Sequence, residues 1–341
     1  MWHGVALRGR AEELTEHRWL LRENRMHGIG TRLGWMARGV RKLVLEVARS
    51  ERSGKLRYAR RRLRHFGMPM WKKMSVELHS LCNRDCQFCP RYNDRSGVRK
   101  DTDGVPVKVQ METQRVLSII DQSVALGFRG AIGFHRLSEG TLDSRFLEFY
   151  RYALDKGLQF KDATNGDVLE KNPDLCAALD SEQTTLTIGL YDVTASEELE
   201  RKKSVWRDRF KNAEICFSVP TEEMQIRQNS KVYDIAQKDH AILDLPCFLQ
   251  KDLLIRYDGN VSLCYQDDNC TFDLGNAFEE PLEKIWWSAK RVAIVKGVRK
   301  REGRHALPLC STCYVAKKRA LHEHGLEHGS EHGFATARRS R

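Results

Sequence analysis

Apolar side chains along this chain change period several times, and the changes outline its elements. Between about 31 and 49, Leu33, Met36, Val40, Leu43, Val44 and Val47 fall at helical spacing among Arg32, Arg38, Arg41, Lys42 and Arg49, and 56–66 repeats the mixture more densely. This predicts an arm of two or three basic amphipathic helices ending near Gly67 and Pro69. Residues 74–79 (MSVELH) alternate as a short strand does, and a turn-rich stretch runs on to about 107. Helices are then predicted over 111–127, 142–157, 167–180 and 195–211, interleaved with strands over 130–136, 159–164, 184–191 and 213–219. Strands alternating with helices of this length argue for βαβ units, hence an α/β fold with a parallel sheet or partial barrel whose site lies at the carboxyl ends of the strands. From about 245 the rhythm stops. Cysteines, Gly259, Gly275 and an amphipathic helix near 281–297 predict a separate small domain, followed by a His-rich tail.

Composition changes the picture in two ways. No stretch approaches 18 uninterrupted apolar residues, which excludes a transmembrane helix, and the first 18 residues hold no apolar segment of a signal peptide. A cytoplasmic chain is the expectation, where thiols stay reduced and clustered cysteines bind metal or do chemistry. The net charge of +12 suggests a polyanion binder, but residues 1–73 carry 19 Lys and Arg against 6 Asp and Glu, a net of +13, leaving 39 against 40 for the rest. The basicity belongs to the arm. Three readings of it stand: peripheral docking on an anionic membrane surface, a grip on nucleic-acid phosphates, or a helical cap packed on the barrel.

Ten cysteines are present, and three of them, Cys82, Cys86 and Cys89, lie within eight residues directly after the first strand. Three thiolates in such a loop can coordinate three irons of a four-iron cluster and leave the fourth iron open to a substrate or cofactor. The spacing, with the aromatic Phe88 just before the last cysteine, resembles the radical S-adenosylmethionine (SAM) superfamily. The resemblance implies a TIM-like partial (β/α)6 barrel. It also implies a [4Fe-4S] cluster on Cys82, Cys86 and Cys89 that binds SAM and cleaves it reductively to a 5′-deoxyadenosyl radical, which abstracts a substrate hydrogen. An electron donor such as flavodoxin or ferredoxin follows from the same chemistry. Ser138-Glu139 occupy the place of the superfamily's Gly-Gly-Glu-Pro-like motif, with Gly140 for the usual Pro; this makes Glu139 the expected acceptor for the methionine amino group. Asn165-Gly166 would lie beside the ribose and carboxylate of SAM, and Phe88 along its adenine.

Cys247, Cys264, Cys310 and Cys313 can complete a four-thiolate site, with Cys264 after a hairpin turned at Asp258-Gly259. With the Leu274-Gly275-Asn276 and Ile285-Trp286 elements between them, they resemble the SPASM and twitch extensions of radical SAM enzymes, which implies an auxiliary [4Fe-4S] cluster. No cysteine follows Cys313, which favours the single-cluster twitch form, and a four-cysteine zinc ribbon is the competing reading. Cys270 is left over, either an alternative ligand or a free thiol. The chain thus divides into a basic arm (1–73), a radical SAM barrel (74–240), a SPASM/twitch domain (241–316) and a His-rich tail expected to be disordered (317–341).

In some relatives an Asp directly after the GxxxxC cysteine accepts a proton. Here Tyr265 stands there, with Asp267 and Asp268 just beyond as candidate bases, and His135 is a further acid–base candidate beside the cofactor strand. Cys176 and Cys216 read as small buried hydrophobes. The expected reaction is oxidation or cross-linking of a peptide or of a carbohydrate-like small molecule. The alternative class is a non-catalytic zinc or iron-sulfur protein that binds nucleic acid through its arm.

Overall fold

A computed structural model describes residues 68–86, 89–90, 107–193, 195–219, 244–311 and 313. The helices expected over 31–49 and 56–66, the tail after 316, and Phe88 lie outside the described residues.

Seven strands form one sheet: β1 (Lys73–Val76), β2 (Ala131–Gly133), β3 (Gln159–Thr164), β4 (Thr184–Gly189), β5 (Glu214–Ser218), β6 (Leu253–Ile255) and β7 (Val261–Ser262). Their order across the sheet is β5-β4-β3-β2-β1-β6-β7. The first five run parallel in sequence order, as alternating strands and helices require. The helices between them are α1 (Thr113–Ala125), α2 (Phe146–Asp155), α3 (Asp167–Lys171), α4 (Pro173–Leu179) and α5 (Ser196–Arg209). Helix α1 buries Val116, Ile119, Ile120 and Ser123, the i, i+3, i+4, i+7 set, and Ser123 Oγ donates to Met74 Sδ on β1 at 3.2 Å. Among the described residues no helix is long and apolar enough to cross a membrane.

Two expected long helices are broken, each by a capping residue. The span 167–180 divides at Asn172-Pro173: the residue before a proline is pushed out of the helical region, and the Asn172 side chain accepts from Leu175 N to cap the second piece. The span 281–297 divides into α6 (Leu282–Trp286) and α7 (Ala289–Val298), with Ser288 Oγ capping Arg291 N.

The small C-terminal domain is not separate from the sheet. Strand β6 lies parallel beside β1 with Met74, Ser75 and Val76 opposite Leu253, Leu254 and Ile255, and β7 folds back antiparallel on it. The end of the basic arm also belongs to the body: Met68, Met70 and Trp71 are buried, Trp286 Nε1 donates to Pro69 O and Trp287 Nε1 to Met68 O, and Trp71 meets Trp286 edge-on at 5.2 Å.

On the other side of the sheet centre, Phe134, Phe146, Phe149, Tyr150 and Phe160 make an aromatic layer between β2, β3 and α2, with Phe160 fully buried 4.9 to 5.8 Å from three of the other rings. Replacing Phe160 with Ala should cost about 3–5 kcal/mol of unfolding free energy, read from equilibrium denaturation. A loss below about 1 kcal/mol would show that this layer does not seat α2 on the sheet.

Candidate active site

The chain leaves β1 through Glu77–Ser80, where Ser80 Oγ donates to Val107 O and accepts from Val109 N, and enters the cysteine loop. Cys82, Cys86 and Cys89 are all half-buried there, and Cys89 N donates to Cys86 O at 2.9 Å. Burial and the neighbouring Cys82 push the Cys86 thiol up. The loop is tethered to the end of β3. Arg84 grips Asp167 with two hydrogen bonds, Nε to Oδ2 at 2.9 Å and Nη2 to Oδ1 at 2.5 Å, and Asn83 adds a third to Oδ2 at 2.7 Å. The hydrogen bonds from Arg84 hold the Asp167 carboxyl below its usual range.

Asn165 closes the arrangement: its Nδ2 donates to Asn83 Oδ1 at 2.7 Å and points at Cys82 Sγ at 3.9 Å, while its N–H donates to Glu139 Oε2 at 2.8 Å. Glu139 N in turn donates to Leu81 O, next to Cys82. Gly166, at φ +85°, lets the chain turn into α3 against the Trp206 ring, which a side chain at that position would meet at 3.0 Å. The structure thus brings together Cys82, Ser138, Glu139, Asn165 and Gly166. Glu139 Oε1 accepts from the hydroxyls of Thr141 and Thr164, so its carboxylate braces the β2 and β3 exits; burial pushes its carboxyl up against those hydrogen bonds. Ser138 Oγ and Glu77 Oε2 are buried and have no hydrogen-bond partner among the described residues. Orphaned polar atoms beside three gathered thiols fit a cluster with a polar cofactor on it.

Next to this lies a second polar group. His135 Nδ1 sits against Asp162 Oδ1, the Ala163 N–H points at both atoms, and Asp162 Oδ2 accepts from Phe134 N at 3.0 Å. Burial works to raise the Asp162 carboxyl, but His135, Lys73 and the Phe134 N–H outweigh it and hold the group below its usual value. Ser75 Oγ donates to His135 O and is hydrogen-bonded to Tyr265, whose phenol burial pushes up. Arg136 Nη2 donates to Asp267 O at 2.5 Å, tying this strand exit to the loop after Cys264.

Asp267 itself has a different role from the base it was expected to be. It is fully buried, and its two carboxylate oxygens accept from Leu263 N and Thr271 N, so it staples the 263–271 loop and is closed off from solvent. Asp268 is half-buried in the same loop, with its carbonyl taken by Arg256 Nη1.

The four later cysteines converge. Charge on Cys313 and Cys247 acts on both Cys264 and Cys310, pushing the Cys310 thiol up to about 12 together with burial. Cys270 faces Ser262 Oγ at 3.1 Å and takes no part in that mutual influence. Among the described residues no three metal-binding side chains converge on a point for one ion. A four-iron cluster asks for a wider arrangement than one ion does, since each thiolate takes its own iron.

Asn83, Arg84 and Asp167 were not legible as site residues. The contacts span more than 80 positions, and the only local sign is an acidic residue directly after Asn165-Gly166.

Comparison with known proteins agrees with this geometry. Residues 247–314 match SPASM, an iron-sulfur cluster-binding domain. The chain is 25% identical over 259 residues, 72% of its length and 93% of the relative's, to an S-adenosyl-L-methionine-dependent 2-deoxy-scyllo-inosamine dehydrogenase of Niallia circulans. Its fold is similar to the crystal structure of BtrN in complex with AdoMet and 2-DOIA (TM-score 0.54, 20% identity, 72% of this chain and 93% of that one) and to BtrN in an open conformation (TM-score 0.51, 19% identity, 72% and 92%). The chain thus carries a SPASM-type iron-sulfur cluster-binding domain at 247–314, and over 72% of its length it is similar to an S-adenosyl-L-methionine-dependent dehydrogenase and shares the fold of BtrN.

Replacing Asp167 with Ala frees Arg84 and Asn83 and should slow reductive formation of 5′-deoxyadenosine about tenfold, the rate equivalent of one charge-assisted hydrogen bond. An unchanged rate at full iron loading would show that the tether does not position the cysteine loop.

Proposed function

We propose that this chain is a radical SAM enzyme, an alcohol dehydrogenase for a small polyhydroxylated substrate of the aminocyclitol or carbohydrate class. The observation that carries the reading is the His135–Asp162 pair at the strand exits, linked by one residue to the loop that bears Cys264. The similarity to a dehydrogenase of an aminocyclitol over 93% of that protein's length supports the substrate class.

When bound, the SAM cluster supplies a 5′-deoxyadenosyl radical that takes the carbinol hydrogen atom, and the auxiliary cluster supplies an acceptor for the electron left over. The chain's part is the remaining proton. Oxidising CH–OH to C=O removes one hydrogen atom, one proton and one electron, so a base must stand at the hydroxyl. His135 Nδ1 is committed to Asp162, which leaves Nε2 as the ring nitrogen that accepts. Asp162, buried and held ionised, fixes the ring's orientation and stabilises the imidazolium that forms. Cys82, Cys86 and Cys89 hold the first cluster, with Ser138, Glu139, Asn165 and Gly166 around SAM; Cys247, Cys264, Cys310 and Cys313 hold the second. Phe88 is assigned to the adenine on sequence grounds alone. Tyr265, hydrogen-bonded to Ser75, stands half-buried on this side of the barrel.

Incubation with carbinol-deuterated 2-deoxy-scyllo-inosamine and a panel of related aminocyclitols and sugars should place deuterium in 5′-deoxyadenosine and yield a ketone. His135→Gln should lower ketone formation by about 10²- to 10⁴-fold while SAM cleavage persists. Full ketone yield from His135→Gln would remove the histidine from the reaction, and no deuterium transfer from any polyol would sink the substrate class.

A further inference from the structure

The stretch from α7 to Cys310 is basic, and its arginines point inward. Arg291 and Arg304 are each 1% exposed, the two largest fully buried side chains in the described structure. Arg291 donates to the carbonyls of Trp286 and Gln250 at 3.1 Å and lies 3.3 Å over the Trp286 ring, with no carboxylate partner among the described residues. Burial, with the nearby Arg299 charge adding to it, pulls its guanidinium down to about 9. Arg299 is half-buried, and its Nε is enclosed without a hydrogen-bond partner. A buried guanidinium held only by carbonyls, as Arg291 is among the described residues, is costly, and an anion nearby lowers that cost.

The anion near these arginines is the auxiliary site. Cys247 N donates to Val298 O, which sets Cys247 beside Arg299, and the two charges act on each other. Arg304 Nη2 donates to the carbonyls of both Cys310 and Cys313. Gln250, 3% exposed, donates Nε2 to Cys247 Sγ at 2.9 Å, and its carbonyl is the one Arg291 holds. Two arginines and an N–H···S bond therefore lie against the four-thiolate site, with Arg291 behind Gln250. A cluster on four thiolates is net negative and becomes one unit more negative on reduction. Nearby positive charge and hydrogen bonds to sulfur favour the reduced form and raise the potential.

We propose that Arg299, Arg304 and Gln250, backed by Arg291, set the potential of the auxiliary cluster and poise it to accept the electron released in substrate oxidation. Its electron-acceptor role rests on the dehydrogenase reading above; the tuning by these side chains does not. The arginines do not touch the reacting atoms and act as positioning residues for charge. Asp267, whose charge reaches Cys264 and Cys310, acts in the opposite sense and makes the arginines more necessary.

The test is a potentiometric titration followed by electron paramagnetic resonance. It uses the reconstituted full chain in which Cys82, Cys86 and Cys89 are replaced by Ala, so that only the auxiliary cluster is present. Poised at the parent midpoint, Arg299→Gln and Gln250→Leu should each lower the reduced-to-oxidised ratio about tenfold, a fall of about 59 mV for a one-electron couple. Arg299→Lys, which keeps the charge, should recover most of the shift. Midpoints unmoved in both neutral variants at full iron and sulfide loading would overturn the proposal. Loss of iron from every variant would overturn it as well, assigning these side chains to holding the fold. The midpoint needs no substrate, so a lowered midpoint in these variants beside absent polyol oxidation by the chain with Cys82, Cys86 and Cys89 intact would remove the dehydrogenase reading and leave the tuning intact.

Discussion

The pairing of β1 with β6 is the constraint on which the rest depends. β1 is an interior strand of the sheet, bonded in parallel to β2 on one side and to β6 on the other, and the second ladder continues past the strand through Glu77 N to Ile255 O. Both cysteine sites hang from this seam. The chain leaving β1 reaches Cys82 six residues after Val76, and the hairpin that begins with β6 reaches Cys264 nine residues after Ile255. A one-residue slip would turn Ser75 away from Tyr265 and send Met74 and Val76 out of the helix-facing core. Separation of the two sites is therefore written into a strand register, a rigid element, and not left to a linker between domains.

Polar groups at the strand exits complete what the seam begins. Glu139, Asn165 and Asp167 each bond to a different segment, so the cysteine loop, the β2 exit and the β3 exit constrain one another. Such a network is rigid only when every member is satisfied. Ser138 Oγ, Glu77 Oε2 and two nitrogens of Arg136 are buried here without a partner among the described residues. The groups that are already satisfied, Asp267 above all, are scaffold.

Much of this was legible along the chain. Period-2 and period-3.6 segments located five parallel strands, one of them (159–164) to the residue, because buried strands and amphipathic helices each impose a spacing that local sequence must carry. Cysteine spacing located both sites for the same reason: ligands to one cluster must come from short, defined loops. What failed to show was whatever depends on contacts between distant segments. The 253–255 strand is three residues long and carries no period of its own, so its place in the sheet was hidden. Asp267 looked like a base because an acid near a cysteine gives no hint that backbone amides have claimed both its oxygens. Asn172-Pro173 and Ser288 were readable as breaks, and were overrun by the apolar periodicity on either side.

Charge makes the same distinction between sum and placement. Beyond residue 73 the chain is almost neutral, which suggests a body without electrostatic purpose. Yet neutrality over 268 residues hides a separation. Aspartates such as Asp143, Asp162 and Asp167 sit at the strand exits on the barrel side, paired with Arg145, His135 and Arg84 in that order, while Arg299 and Arg304 lie beside the later cysteines with Arg291 behind them. Paired charges of the first kind are locally balanced and position side chains. Cations of the second kind, such as Arg291 with no carboxylate partner among the described residues, carry a cost that a bound anionic cluster would offset. The same offset would make a gained electron easier to hold there than a proton count of the chain would suggest.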